Sequence, residues 1–301
     1  MGYIDTSKQL RRDIDDLPRR HVELKNYLQG TFDVVTIGDS FSNGGAGGRN
    51  RFYQDYLASI SGKNVLNVPP YKDLDPLSTA SIMLNSGFLE TLHPRYLLVS
   101  MHEWGYLPAL ASALDFSVTP DREALKRLKH VDYNVPHPVL TYINDGNVKF
   151  VLNKLLYRFS DHAFFSRVHK RRLSQPLFSV PDDSGLLFLR MKTTSDNKAL
   201  QSLNSNLNVL AERLSSRGIT LVFMPCVDKY NLYSDYIVNN PYPRSNFFEK
   251  LRKLPKRYRL IDTKAILAEE LRKGEKDIFY ADDTHWGWKA SKKIFENVRF
   301  E

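Results

Sequence analysis

The chain has 301 residues, 42% of them hydrophobic and 26% charged, with 15 prolines and 15 glycines. This composition excludes disordered, collagen-like and fibrous repeat proteins and leaves a folded body with a sizeable core. The 43 Lys and Arg against 34 Asp and Glu give a formal charge of +9, which suits a phosphate- or carboxylate-bearing partner without distinguishing among them. The single cysteine, Cys226, excludes an internal disulfide and a thiolate metal site. No run approaches the ~18 apolar residues of a membrane-spanning helix, and the first thirty residues lack the apolar centre of a signal peptide.

Residues 1–30 are polar and charged, with Asp13, Asp15 and Asp16 set against Arg11, Arg12, Arg19 and Arg20, and read as a helical arm that docks on the body. Residues 31–301 read as one domain. Its first strand is Phe32 to Gly38, a β-branched apolar run that stops at a glycine. A helix is predicted over Asn50 to Ile60, a strand over Asn64 to Val68, a helix over Ser78 to Thr91 and a strand over Arg95 to Ser100. This alternation predicts an α/β fold with a central parallel sheet covered on both faces.

Between about 106 and 195 the alternation breaks, and this stretch reads as a mainly helical insertion with a helix at Val148 to Phe159 and a basic segment at 167–172. The alternation then resumes. Leu200, Leu203, Leu207, Leu210 and Leu214 lay one apolar stripe on a helix that Gly218 closes, followed by strands at Ile219 to Met224 and Arg259 to Asp262. A helix at Ala265 to Leu271, an apolar run at Ile278 to Tyr280 and a last helix at Trp288 to Phe295 complete the pattern.

Two motifs carry chemistry. Gly38-Asp39-Ser40-Phe41-Ser42 lies where the first strand ends, and ligands of open α/β sheets bind at the carboxyl ends of parallel strands. A serine there either caps a helix or acts as a nucleophile, and the second role requires a base within hydrogen-bond reach. Tyr280-Ala281-Asp282-Asp283-Thr284-His285-Trp286 offers one. An imidazole, with an ordinary pKa of ~6.5, accepts the serine proton, and a carboxylate at its other nitrogen fixes the tautomer. Asp282 and Asp283 are both candidates for that carboxylate. No other His, Asp or Glu grouping has metal-ligand spacing, and His21, His93, His130, His137, His162 and His169 show no pair at helical spacing, so no metal or cofactor is expected.

Asn43 behind Ser40, His102 and Glu103 after the third strand, and Trp286 beside His285 are candidate substrate-binding residues; Trp104 and Trp288 flank the same region. The glycines from Gly44 to Gly48 lack the Gly-Lys-Ser/Thr ending of a phosphate loop. The basic groups, which also include Lys126, Arg127 and Lys129 and the run Lys253, Lys256, Arg257 and Arg259, lack an aromatic platform or zinc-finger spacing, so nucleic acid is not an expected partner.

The GDS after the first strand and the acidic-x-His pair near the C-terminus resemble the motifs of the SGNH (GDSL-type) hydrolase superfamily. "GDSFS" and "DDTHW" are similar to those of its alginate O-acetyltransferase-like branch, which acts on exported bacterial polysaccharides. The resemblance implies a three-layer α/β/α, flavodoxin-like fold and a Ser40, His285, Asp283 triad. It implies acetyl transfer to polysaccharide hydroxyls, with a carbohydrate esterase or a non-catalytic polysaccharide-binding assembly protein as alternatives. It also implies a polysaccharide acceptor, suited by the basic surface to be anionic, an acyl donor or membrane-bound acyltransferase partner, and a periplasmic or extracytoplasmic setting with its signal or anchor outside this chain. The insertion's basic segment, with Arg171 and Arg172, is the expected acceptor or partner contact.

Overall fold

The computed structural model describes residues 16–27, 30–48, 50–71, 74–103, 112–119, 125, 128, 152, 155–162, 167–180, 184–189 and 196–301. The described strands are β1 (Val22–Glu23), β2 (Val34–Gly38), β3 (Val65–Val68), β4 (Tyr96–His102), β5 (Val168–Arg172), β6 (Gly185–Leu189), β7 (Thr220–Cys226) and β8 (Arg259–Leu260). Six of them form one sheet in the order β1-β3-β2-β4-β7-β8, every neighbouring pair parallel. Every residue of β2, β3 and β4 is buried, as a parallel sheet covered on both faces demands.

Eight α-helices are described: α1 (Tyr53–Ser61), α2 (Pro76–Asn85), α3 (Phe88–Leu92), α4 (Asn197–Ser215), α5 (Lys229–Tyr233), α6 (Phe247–Lys253), α7 (Thr263–Arg272) and α8 (Trp288–Glu296). α1, α8 and α7 pack in one row, and α2, α4 and α6 in another. The arrangement is consistent with a three-layer α/β/α fold. In α4 the stripe of Leu200, Leu203, Leu207, Leu210 and Leu214 is wholly buried, each leucine contributing about 1.5–3 kcal/mol of burial. Asp196 caps its start through the Lys198 amide at 2.9 Å. No described helix is long and apolar enough to cross a membrane.

Counted from β2, the sheet order is 2-1-3-4-5, the doubly wound order in which the chain turns back beside its first strand. The crevice of such a sheet opens at the carboxyl ends of β2 and β4. These two strands are paired in register, with Gly38 opposite Ser100. The glycine is required there, because a Cβ would fall 2.1 Å from Ser100 Oγ and 2.6 Å from Ser42 Cβ.

The structure corrects several sequence expectations. The described part of the N-terminal arm has no α-helix: Val22 and Glu23 add a strand to β3, and a short 3-10 helix follows at Leu24–Asn26. Buried Asp55 of α1 anchors it, accepting from the His21 amide at 2.9 Å, His21 Nδ1 at 2.7 Å and Arg20 at 3.0 Å. Burial pushes the Asp55 carboxyl up, but these donors outweigh it and hold the group below the usual carboxylate range. Residues 1–15 lie outside the described part.

The helix expected over 78–91 is two, α2 and α3, parted at Gly87, whose φ of 68° is left-handed. The described part of the insertion is not mainly helical either, since β5 and β6 pair antiparallel. Of the helix expected at 148–159, residues 152, 155 and 156 are helical and 157–159 form a turn; the remainder lies outside the described residues.

Gly38→Ala is expected to lower stability by about 1–3 kcal/mol through overpacking, with part recovered in the Gly38→Ala/Ser100→Ala double variant. Urea denaturation of the three proteins checks this; equal stability of Gly38→Ala and wild type would contradict the close contact.

Candidate active site

The turn after β2 is built by Asp39. Its main-chain carbonyl accepts from the Ser42 and Asn43 amides at 3.0 and 3.1 Å, and its Oδ1 accepts from the Phe41 amide at 3.0 Å. Its Oδ2 accepts from the His102 amide at 2.7 Å, tying the turn to the end of β4. Burial raises the pKa of this carboxyl against the pull of those amides. Beneath the turn, Ser42 Oγ contacts Tyr53 Oη at 3.2 Å and donates to Asn67 Oδ1 at 3.1 Å, while Tyr53 Oη reaches Ser100 Oγ at 3.0 Å. Four elements therefore fix where Ser40 stands.

The acid-base loop comes from the other end of the chain. Phe279 and Trp286 form an antiparallel bridge, and the Asp283 amide donates to Tyr280 O at 3.3 Å, closing the loop between them. Asp283 Oδ1 accepts from the His285 amide at 3.1 Å and lies 2.8 Å from His285 Nδ1. Burial raises the pKa of the Asp283 carboxyl, but the hydrogen bonds and charge of His285 overcome this and hold it well below the usual range. Of the two adjacent acids, Asp283 orients the ring; Asp282 is buried beside it.

The two ends meet: His285 Nε2 lies 2.8 Å from Ser40 Oγ. Phe41 packs on the imidazole at 4.7 Å, edge-on to Trp286 at 4.8 Å and against His102 at 5.2 Å. Gly45 approaches from another side, its amide donating to Ser40 O at 2.8 Å. A Cβ at Gly45 would sit 2.7 Å from His285 Nε2, so only glycine fits. Ser40, Asp283 and His285 are half-buried and reachable from the crevice.

The four expected substrate-binding residues lie nearby. The Asn43 side chain donates back to Gly38 O at 3.4 Å within the turn. Trp286 is only 4% exposed and packs against Phe41. His102 is buried, and burial first, then the charge of His285, pulls its pKa down to about 3. Buried Glu103 accepts from the Asp228 amide at 2.9 Å and from Asn231 Nδ2 at 2.7 Å, holding the start of α5. Trp104 lies outside the described residues. Cys226 is fully buried, its thiol pKa pushed up by burial, and acts as a packing residue.

The sequence shows no paired histidines, yet Asp161, His162 and His169 converge, with ligand-capable atoms within 4.8 Å of one another. His162 and His169 face each other across an antiparallel bridge. The carboxylate of Asp161 is already held by Tyr242 Oη and, at 3.3 Å, by Arg171, and the guanidinium opposes a cation there. This network pins β5 to the segment around Tyr242. Arg171 also donates to Asn239 O at 2.9 Å, so the basic segment expected to meet an acceptor or partner spends this arginine on internal structure. No protein-family model matches the chain, and no curated protein matches it.

Gly45→Ala is expected to abolish any chemistry that depends on the Ser40–His285 contact, while costing about 1–3 kcal/mol of stability. Assay alongside thermal melting separates the two effects, and full activity would contradict the contact.

The neighbours His102 and Glu103 set opposing pH dependences. Burial, aided by Asp228, pushes the Glu103 carboxyl up to about 7 from its usual 4.5. Its stabilising protonated form is complete below 4.5 and is lost as pH rises to 7. Neutral His102 stabilises fully above its ordinary 6.5, and that contribution is lost as pH falls toward about 3. Glu103→Gln is therefore expected to gain stability more steeply with pH between 4.5 and 6.5 than wild type, and His102→Asn to lose it. Denaturation midpoints at stepped pH check both signs, and parallel curves would refute them.

Proposed function

We propose that this protein is a serine acyltransferase of SGNH type that moves an acetyl group onto a hydroxyl of an exported bacterial polysaccharide, outside the cytoplasm, through an acyl-enzyme on Ser40. The observation that carries the reading is the unbroken line from Ser40 Oγ to His285 Nε2 and from His285 Nδ1 to Asp283 Oδ1, both steps 2.8 Å. That is the arrangement by which a neutral hydroxyl becomes a nucleophile.

Ser40 Oγ attacks the carbonyl carbon of the acyl donor as His285 Nε2 takes its proton. Ionised Asp283 holds the ring and stabilises the imidazolium. The Ser40 amide donates to no acceptor among the described residues and is a donor for the oxyanion. Collapse expels the donor's leaving group with the proton from His285. A sugar hydroxyl then attacks the acyl-serine, giving its proton to His285, and the second collapse returns the proton to Ser40.

Asp283, and not Asp282 one residue earlier, meets His285, which is the acid the resemblance implies. A basic chain suits an anionic polysaccharide, and the donor side suits an acyl donor or a membrane-bound acyltransferase partner. A carbohydrate esterase with the same acyl-enzyme is the second reading, favoured by the half-exposure of Ser40 and His285, which lets water compete with a sugar.

Incubation with an acetyl-ester probe, with and without an oligosaccharide acceptor, tests the reading. Ser40→Ala is expected to lose turnover by on the order of 10⁴-fold or more, and Asp283→Asn by a similar factor. Asp282→Asn is expected to cost far less. Acetylated sugar as product supports transfer and free acetate alone supports the esterase. Turnover unaltered in Ser40→Ala would discard both, and no turnover by the wild type would leave a non-catalytic polysaccharide-binding assembly protein.

A further inference from the structure

Lys229 opens α5 and is 1% exposed. Lysine is almost never fully buried unless its ammonium is engaged, and the three protons of Lys229 Nζ have three acceptors. They are Tyr280 O at 2.7 Å, Ala281 O at 2.9 Å and Asp283 O at 3.0 Å. All three belong to the loop that presents Asp283 and His285. Loop carbonyls do not converge on one point unaided, because their dipoles repel; a cation with several donors is what makes this curvature stable. The ring of Phe178 lies 5.3 Å from the same nitrogen.

The backbone at Lys229 is itself fixed. Asp228 caps α5 through the Tyr230 amide at 2.9 Å and the Asn231 amide at 3.3 Å. Glu103 at the end of β4 takes the Asp228 amide and Asn231 Nδ2. The adjacent His102 amide is held by Asp39, the residue before Ser40. One polar chain therefore runs from the turn that holds Ser40, through Asp39, the end of β4 and α5, to Lys229 and the loop that holds His285.

We infer that Lys229 is the positioning residue of the acid-base loop, fixing Asp283 and His285 at the distance from Ser40 that proton transfer needs. The loop-fixing part stands on geometry alone, whereas its effect on turnover rests on the acyl-transfer reading. A buried ammonium is a costly way to stabilise a core that an apolar side chain could fill, but it is the one group here that gathers three carbonyls.

The test compares wild type, Lys229→Met and Lys229→Gln, the last retaining two N–H donors. Amide hydrogen exchange over residues 280–287 is measured on the whole folded protein, together with kcat and KM for an acetyl-ester probe. Lys229→Met is expected to raise exchange in this segment selectively and to lower kcat by about 100-fold, with KM changing less than about threefold. Lys229→Gln is expected to fall between the two, and it carries the same readouts should the Met variant fail to fold. In a His285→Ala background the loss in kcat is expected to vanish, since the lysine acts through the imidazole.

Unchanged exchange at 280–287, or the same kcat loss with and without His285, overturns the inference. If wild type and Ser40→Ala turn over alike, the acyl-transfer reading fails by itself, and the exchange data still decide whether Lys229 holds the loop.

Discussion

A hydroxyl and an imidazole 245 residues apart share a hydrogen bond of 2.8 Å, and the fold arranges the rest of the chain around that meeting. A parallel sheet that turns back beside β2 leaves a crevice at the carboxyl ends of β2 and β4. Ser40 enters it from β2, and the loop before the last helix enters it from above the same edge. Neither residue is positioned by its own neighbours alone. Asp39 and Gly38 lock the turn onto β4, and the bridge between Phe279 and Trp286 closes the loop on itself.

The energetic cost of this arrangement lies beneath the site. Asp39, His102, Glu103 and Lys229 are all buried or nearly so, and the side chains of Asp39, Glu103 and Lys229 are held by main-chain amides or carbonyls. Buried polar groups are tolerated where hydrogen bonds replace water, and a satisfied network also fixes one geometry. His102 and Glu103 carry opposite penalties: burial keeps the imidazole neutral and pushes the carboxyl toward its neutral form. Asp283 is the carboxylate hydrogen-bonded to His285.

Much of this was legible in the sequence because burial on both faces writes strands as unbroken apolar runs, and the α4 stripe follows helical spacing. The two motifs stood out because polar residues interrupt such runs at their ends. Other features left no local signal. β5 reads Val-His-Lys-Arg-Arg, a basic segment whose strand character comes from pairing with β6 and a bridge to His162, neither of them visible locally. Lys229 carries no signal in the sequence because its partners are carbonyls some fifty residues away, and carbonyls are invisible in a sequence. Trp286 reads as a substrate-binding candidate beside His285, and Phe41, from the other end of the chain, packs against it. Asp39 stands in the motif without a role of its own in the sequence, and its Oδ2 accepts from the His102 amide.

The packing of Gly45 and Phe41 around His285 has a consequence for the order of events. The glycine lies at the Nε2 and Cε1 edge of the imidazole and a phenyl ring packs against it. On the acyl-transfer reading, one nitrogen in one place serves both the departing group and the incoming nucleophile. The first product must vacate that spot before the second reactant occupies it, so the kinetics are ping-pong, with donor and acceptor competing for the same doorway.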